Sequence, residues 1–268
     1  TEYRSLADMR TIIAEIEALP GKHVLFPDVN LLAGRAFTEE FFNALIPLKK
    51  KWFGLVTSAI GHDDALIDLF ERSGCTGLLI GFESINAESQ KFFRKRVNKV
   101  GGYPELMKKL HGAGIVVQGC FAFGGDDEDT SVFERTVEMV QETKIDLPRY
   151  SILTPFPRTE FYAQLESQGR IIERDWAMYD VEHCVFTPAK MTKDQLEEGI
   201  EWAWRETYKM SSIAERLAPF NRQPVVSMLT NMGYRGYANK FHKFTREVMC
   251  DNSDIPEVRM PVSAGVAN

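Results

Sequence analysis

The sequence predicts an α/β fold, a partial parallel (β/α) barrel followed by a mainly helical C-terminal extension. Three observations lead there. Five short apolar runs, near residues 24, 53, 78, 116 and 150, alternate with helically spaced stretches at intervals of roughly 24 to 39 residues, the pattern of βα repeats. Polar residues stand just past the ends of those runs: Asp28, Asn30, Ser58, Glu83, Asp126 and Thr154. They would share one rim, where parallel sheets and barrels place their ligands. After about Arg170 the alternation stops and long helical patterns take over. The chain therefore divides into a partial-barrel core over 1–170, a helical extension over 171–250 and a loose tail over 251–268.

The elements follow from local pattern. Ser5 with Asp8 reads as a capping-box variant opening a helix whose apolar positions run from Leu6 to Leu19, stopped by Pro20-Gly21. His23 to Phe26 is a short strand. Thr38 opens a second helix with Phe41, Phe42, Leu45 and Ile46 on one side, and Trp52 to Val56 is the next strand. Asp63 caps a third helix closed by Gly74. The run Gly77 to Glu83 is the clearest buried strand, ending in a carboxylate that belongs at the rim, since burying it in the sheet would be costly. A short helix over Asn86 to Phe93 leads into the cationic run Arg94-Lys95-Arg96, and a further helix covers Pro104 to His111. Ile115 to Phe123 is a strand, Thr130 starts a helix, Arg149 to Leu153 is the fifth strand, and a helix over Thr159 to Ser167 stops at Gly169. Beyond it, Asp175 to Pro188 is irregular or holds a short strand. Thr192 and Gln195 form a capping box opening a long helix that extends towards Leu217, and another helical stretch covers Val225 to Thr245.

Composition narrows the function. With 44% hydrophobic and 26% charged residues, the 268-residue chain is an ordinary globular protein, and its net charge of −6 argues against broad nucleic-acid binding. No apolar run reaches the roughly 18–20 residues of a membrane span, and no signal peptide opens the chain, so a cytoplasmic location is expected. Cys75, Cys120, Cys184 and Cys250 form no close pair, which favours separate buried thiols over a metal or iron–sulfur site. His111 and His183 have no helical i+4 partner and read as packing residues, as does the Trp202–Trp204 pair. Neither a Gly-x-Gly-x-x-Gly nor a Walker sequence is present.

The order of the rim motifs resembles the radical S-adenosylmethionine superfamily, in its cobalamin-binding, hopanoid-methylase-like branch. The resemblance runs from Tyr3-Arg4 to about Arg216. It is carried by Phe26-Pro27-Asp28-Val29-Asn30, Trp52 with Ser58, Ser73-Gly74-Cys75, Gly81-Phe82-Glu83-Ser84-Ile85-Asn86 and Lys95 with Asn98. Leu110-His111, Gly114-Ile115, Gly119 with Phe121 to Gly124, and Leu153 to Pro157 continue it, and Tyr179-Asp180, His183 and Val185 to Pro188 match the branch's C-terminal extension.

The resemblance implies a partial (β/α)6 barrel of the radical S-adenosylmethionine type. Such a barrel binds S-adenosylmethionine and a [4Fe–4S] cluster, and in this branch cobalamin as well. The implied chemistry is reductive cleavage of S-adenosylmethionine to a 5′-deoxyadenosyl radical, used for cobalamin-dependent methylation at an unreactive carbon of a small-molecule or lipid substrate. By position, Asp28 and Asn30 face the methionine amine, Glu83 the ribose or amino group, and Lys95 the carboxylate. Gly119, Phe123 and Gly124 lie along the adenine, and Ser58 and Thr154 complete the rim. Val29 stands where a second aspartate is usual, and Arg158 replaces a glycine. The family's CxxxCxxC loop is absent, so the cluster ligands are expected upstream of residue 1. The chain then reads as a fragment lacking its first strand and inactive alone, with its own N-terminal region as partner. Two other readings stand beside it: a non-catalytic binding module, and a barrel enzyme holding a divalent metal with Asp28, Glu83 and Asp126.

Overall fold

The structure, a computed structural model, describes residues 8–32, 34–85, 102–218 and 224–241. Its centre is a five-stranded sheet in the order β1-β2-β3-β4-β5, every neighbouring pair parallel. The strands are β1 (His23–Phe26), β2 (Lys51–Val56), β3 (Cys75–Glu83), β4 (Val116–Phe123) and β5 (Leu147–Ile152). All five apolar runs are strands, adjacent in chain order as the βα spacing predicts. The fold is the expected α/β fold.

The core helices are α1 (Met9–Ala18), α2 (Arg35–Leu45), α3 (Asp64–Ser73), α4 (Tyr103–Gly112), α5 (Ser131–Thr143) and α6 (Glu160–Ser167). Asp63 caps α3 as read, its Oδ1 accepting from the Leu66 N–H at 3.0 Å, and Gly74 ends it in the left-handed region at φ 97°. A Cβ at Gly74 would also stand 2.2 Å from the Lys50 carbonyl, so this turn admits only glycine. Thr38 does not open α2. The helix starts three residues earlier at Arg35, and the Thr38 hydroxyl, buried inside it, donates to the Leu31 carbonyl at 3.0 Å. Ser5, the 86–93 helix with Lys95, Cys250 and the 251–268 tail lie outside the described residues.

Side chains on alternate strand positions divide the sheet into two unlike faces. One face is sealed by helices through large rings. Trp52 stacks on Phe42 of α2 with centroids 4.7 Å apart and meets Phe70 of α3 edge-on at 5.0 Å. Phe82 meets Tyr103 of α4 at 4.7 Å, and Phe123 meets Phe133 of α5 at 4.9 Å. The opposite face carries Phe53, Leu55, Leu79, Gly81, Cys120, Ala122 and Ser151, all only half-buried.

The extension is helical: α7 (Lys193–Thr207), α8 (Met210–Leu217) and α9 (Pro224–Ala238). The Thr192–Gln195 capping box is present with both reciprocal bonds, at 3.1 and 2.8 Å. The single long helix expected towards Leu217 is two, broken at Tyr208-Lys209, where Lys209 takes an extended backbone. The break positions Arg216. This guanidinium, 2% exposed, donates to the carbonyls of Ile145, Asp146 and Thr207 and to Asn231 Oδ1, at 2.8–3.1 Å. Asn231 Nδ2 in turn donates to the Asp146 carbonyl at 3.1 Å. The Asp146 carboxylate accepts from the Val117 N–H and contacts His111 Nε2 at 2.8 Å. One buried arginine thus ties α8, α9 and the start of β5 together. Arg216→Met leaves its buried acceptors unpaired and is expected to cost at least about 3 kcal/mol of unfolding free energy in urea denaturation. A loss below about 1 kcal/mol would mean that apolar contact alone docks these helices.

Candidate functional site at the strand ends

The C-terminal ends of β3 and β4 are bolted together by a carboxylate. Glu128, 2% exposed, accepts from the Ser84 hydroxyl at 2.5 Å with one oxygen. Its other oxygen accepts from the N–H groups of Gly124 and Gly125 at 3.0 and 3.1 Å. Hydrogen bonds to an ionised acceptor are the strong kind, and here they fix two rim loops against each other. Gly124 sits at φ 109°, a conformation other residues avoid, with Leu196 of α7 and Phe186 packed 3.1–3.2 Å from where a Cβ would be.

Next to this bolt, the register of β3 on β4 shifts between Gly81 and Glu83, and Glu83 is left-handed at φ 65°. A left-handed non-glycine residue at a sheet rim is a strained position of the kind that collects at binding sites. Glu83 is half-buried there, flanked by fully buried Phe82 and by Ser84.

The remaining site residues fall into three groups. Asp28 is exposed in the loop after β1, and Asn30 turns its Oδ1 back on the Leu32 N–H at 3.1 Å. Ser58 and Thr154 are buried just beyond β2 and β5, Thr154 donating to the Ile152 carbonyl at 3.0 Å. Gly119 and Phe123 point away from the open face. A Cβ on Gly119 would stand 2.9 Å from Ile145 and 3.1 Å from Phe82, so this glycine makes room for the helix-side packing rather than for a ligand. The Phe123 ring lies in the same layer and does not reach the open face. Lys95 lies outside the described residues.

Asp126 is drawn off to Arg170, 2.7 Å away. Among the described residues no group of three His, Cys, Asp or Glu is placed to hold a metal ion, so the divalent-metal reading of Asp28, Glu83 and Asp126 has no geometric support. His111 and His183 contact Asp146 and Asp180, each at 2.8 Å. Cys75 opens β3, Cys120 sits on the open face of β4 and Cys184 lies in a loop after β5. Three separate elements thus carry the described thiols, and they do not fit an iron–sulfur cluster.

Sequence reading missed Glu128, one of four consecutive acidic residues from Asp126 to Asp129. The available signal was a carboxylate following Gly124-Gly125 closely enough to accept from both amides.

Known proteins share this chain's fold and part of its sequence. The chain is 31% identical over 208 residues to the bacteriochlorophyllide d C-12(1)-methyltransferase of Chlorobaculum tepidum, covering 77% of this chain and 45% of the relative. In fold it matches TsrM, a radical S-adenosylmethionine methyltransferase from Kitasatospora setae solved with cobalamin and a [4Fe–4S] cluster bound. That match has a TM-score of 0.57 at 13% identity and covers 91% of this chain and 56% of the other. In sequence the chain is thus similar to a bacteriochlorophyllide d methyltransferase, and in fold to a radical S-adenosylmethionine methyltransferase. The bacteriochlorophyllide d C-8(2)-methyltransferase of the same Chlorobaculum is 24% identical over 175 residues, 65% of this chain and 39% of that one. The chain thus spans less than half the length of these two methyltransferases. No family model matches it. Among the described residues no helix is long and apolar enough to cross a membrane.

The rim's stability depends on the buried carboxylate. Glu128→Ala removes the acceptor of two buried N–H groups and is expected to lower the unfolding free energy by about 2–4 kcal/mol, with Glu128→Gln in between. Guanidinium denaturation of the three proteins reads this out. Equal stability of Glu128→Ala and the parent would show that the loops are held by other contacts.

Proposed function

We propose that this chain forms the S-adenosylmethionine-binding core of a radical methyltransferase, with the cofactor on the half-open sheet face at the ends of β2 to β4. The observation that carries the reading is the unequal cover of the sheet. Parallel sheets are normally buried on both faces, whereas here one face is sealed by rings and the other is lined by small or half-buried residues beneath a carboxylate rim. The site's own residues suit the cofactor's chemistry. Asp28 offers an exposed carboxylate to an ammonium group, and Glu83 can accept from a pair of ribose hydroxyls. The Glu128 bolt holds the Gly124-Gly125 backbone beside them. Ser58 and Thr154 contribute buried hydroxyls, and Lys95 a cation for the cofactor's carboxylate.

When bound, S-adenosylmethionine supplies hydrogen abstraction from an unreactive carbon and the methyl group, with cobalamin as carrier. The described cysteines do not fit the [4Fe–4S] cluster this chemistry uses. On this reading its ligands belong to further sequence of the same protein, in keeping with the greater length of the relatives. Residues 1–170 are then the cofactor-binding core and the extension its flank. The substrate is a small organic molecule or lipid.

Calorimetric titration of S-adenosylhomocysteine into the full-length gene product tests the site without the cluster's chemistry. Glu83→Gln is expected to weaken binding at least tenfold, the size of one lost charge-assisted bond pair. Unchanged affinity would remove Glu83 from the site.

A further inference from the structure

A second cleft lies away from the rim residues, between β5, α7 and α9. Its volume is about 420 Å³, and Arg149, Glu182, Trp204, Gly233, Tyr234 and Tyr237 line it together with Thr230. None of the rim residues takes part. This lies in the size range of small-molecule sites, and the wall has their composition, flat aromatic surface with a few polar groups.

Three of the polar groups present donors to the cleft. Arg149 is exposed on the open face of β5 and forms no ion pair among the described residues. The Trp204 indole, 2% exposed, keeps its N–H buried with no hydrogen-bond partner among the described residues, a costly state for a core residue. Tyr234 Oη accepts from Gln118 Nε2 at 3.2 Å, which leaves its own proton to donate, and burial pushes this phenol above its ordinary pKa. Glu182, the carboxylate of the cleft, accepts from the Tyr237 hydroxyl, and the Thr230 hydroxyl gives its proton to the Val226 carbonyl at 2.9 Å. Arg149, the Trp204 N–H and the Tyr234 proton therefore remain for an acceptor on a ligand.

Its shape has a local cause. Gly233 lies inside α9, where glycine costs about 1 kcal/mol against alanine. Nothing lies within 4 Å of the Cβ it lacks and its φ is not left-handed, so neither packing nor backbone conformation calls for glycine there. What its smallness does is keep the cleft open beside Trp204, whose ring meets Tyr237 at 5.0 Å and Tyr234 at 5.8 Å.

We infer that this cleft binds a planar aromatic carboxylate, its ring against Trp204 and Tyr237 over Gly233 and its carboxylate on Arg149. The body answers the aromatic wall, and the carboxylate answers the guanidinium and the unpaired donors. The site needs no S-adenosylmethionine and stands apart from the rim, so it does not rest on the function proposed above.

Titration of the full-length protein with 2-naphthoate, 2-naphthamide and acetate tests this. Naphthoate is expected to bind one-to-one and at least tenfold more tightly than the neutral amide or the ringless acid. Arg149→Gln, at an exposed and unpaired position, is expected to erase the preference for naphthoate over naphthamide. Gly233→Leu is expected to abolish binding while the thermal midpoint stays level or rises, since a glycine inside a helix is replaced. Absence of saturable naphthoate binding, an undiminished preference in Arg149→Gln, or full binding by a folded Gly233→Leu variant would each overturn the inference. S-adenosylhomocysteine affinity, measured on the same samples, reports on the rim separately.

Discussion

Strands β2 to β5 seal one side of the sheet with large buried side chains. Trp52, Ile80, Phe82, Phe121, Phe123 and Tyr150 are all nearly or fully buried, five of them at 0–2% exposure and Tyr150 at 3%. Because side chains alternate along a strand, filling one face with rings leaves the intervening positions on the other. There Gly81, Cys120, Ala122 and Ser151 are small and only half-buried. The aromatic layer seals the helix-covered side and so sets which face of the sheet stays accessible. Rim residues gain their place as a consequence, since each follows directly from a strand so oriented.

Polar groups then join what the aromatic layer cannot. Glu128 holds the loops after β3 and β4 together, and Arg216 fastens the extension to the start of β5. Both are buried side chains that bond mainly to backbone, so each locks a particular chain path rather than adding generic attraction. The extension that Arg216 anchors carries α9 to the β5 side of the sheet, where Tyr234 reaches Gln118. The second cleft is thus a product of the same latch.

Much of this was legible in the sequence. The five strands are short apolar runs bounded by turns, and the Thr192–Gln195 box and the Asp63 cap are local signals that need no tertiary context. The order of the rim motifs likewise pointed to the relatives now seen. Facing was harder to read. Gly119 and Phe123 lie in a run whose members are nearly all apolar or small, so periodicity could not say which side each takes. The break at Tyr208 was invisible because apolar spacing continues through it, and it exists to bring Arg216 under distant carbonyls. Glu128 looked like its acidic neighbours, and only the fold of the glycine turn singles it out. Such long-range pairings belong to tertiary structure and leave little trace in a local pattern.

The central claim is that the open sheet face, and not the helix-covered one, receives the cofactor. Hydrogen exchange followed by mass spectrometry, with and without S-adenosylhomocysteine, tests it most directly on the full-length protein. The account predicts slowed exchange at the ends of β3 and β4 and in the loops at Ser84-Ile85 and Gly124-Gly125, with α2 to α5 unchanged. Protection confined to the helical layer, with the rim loops exchanging as before, would contradict it.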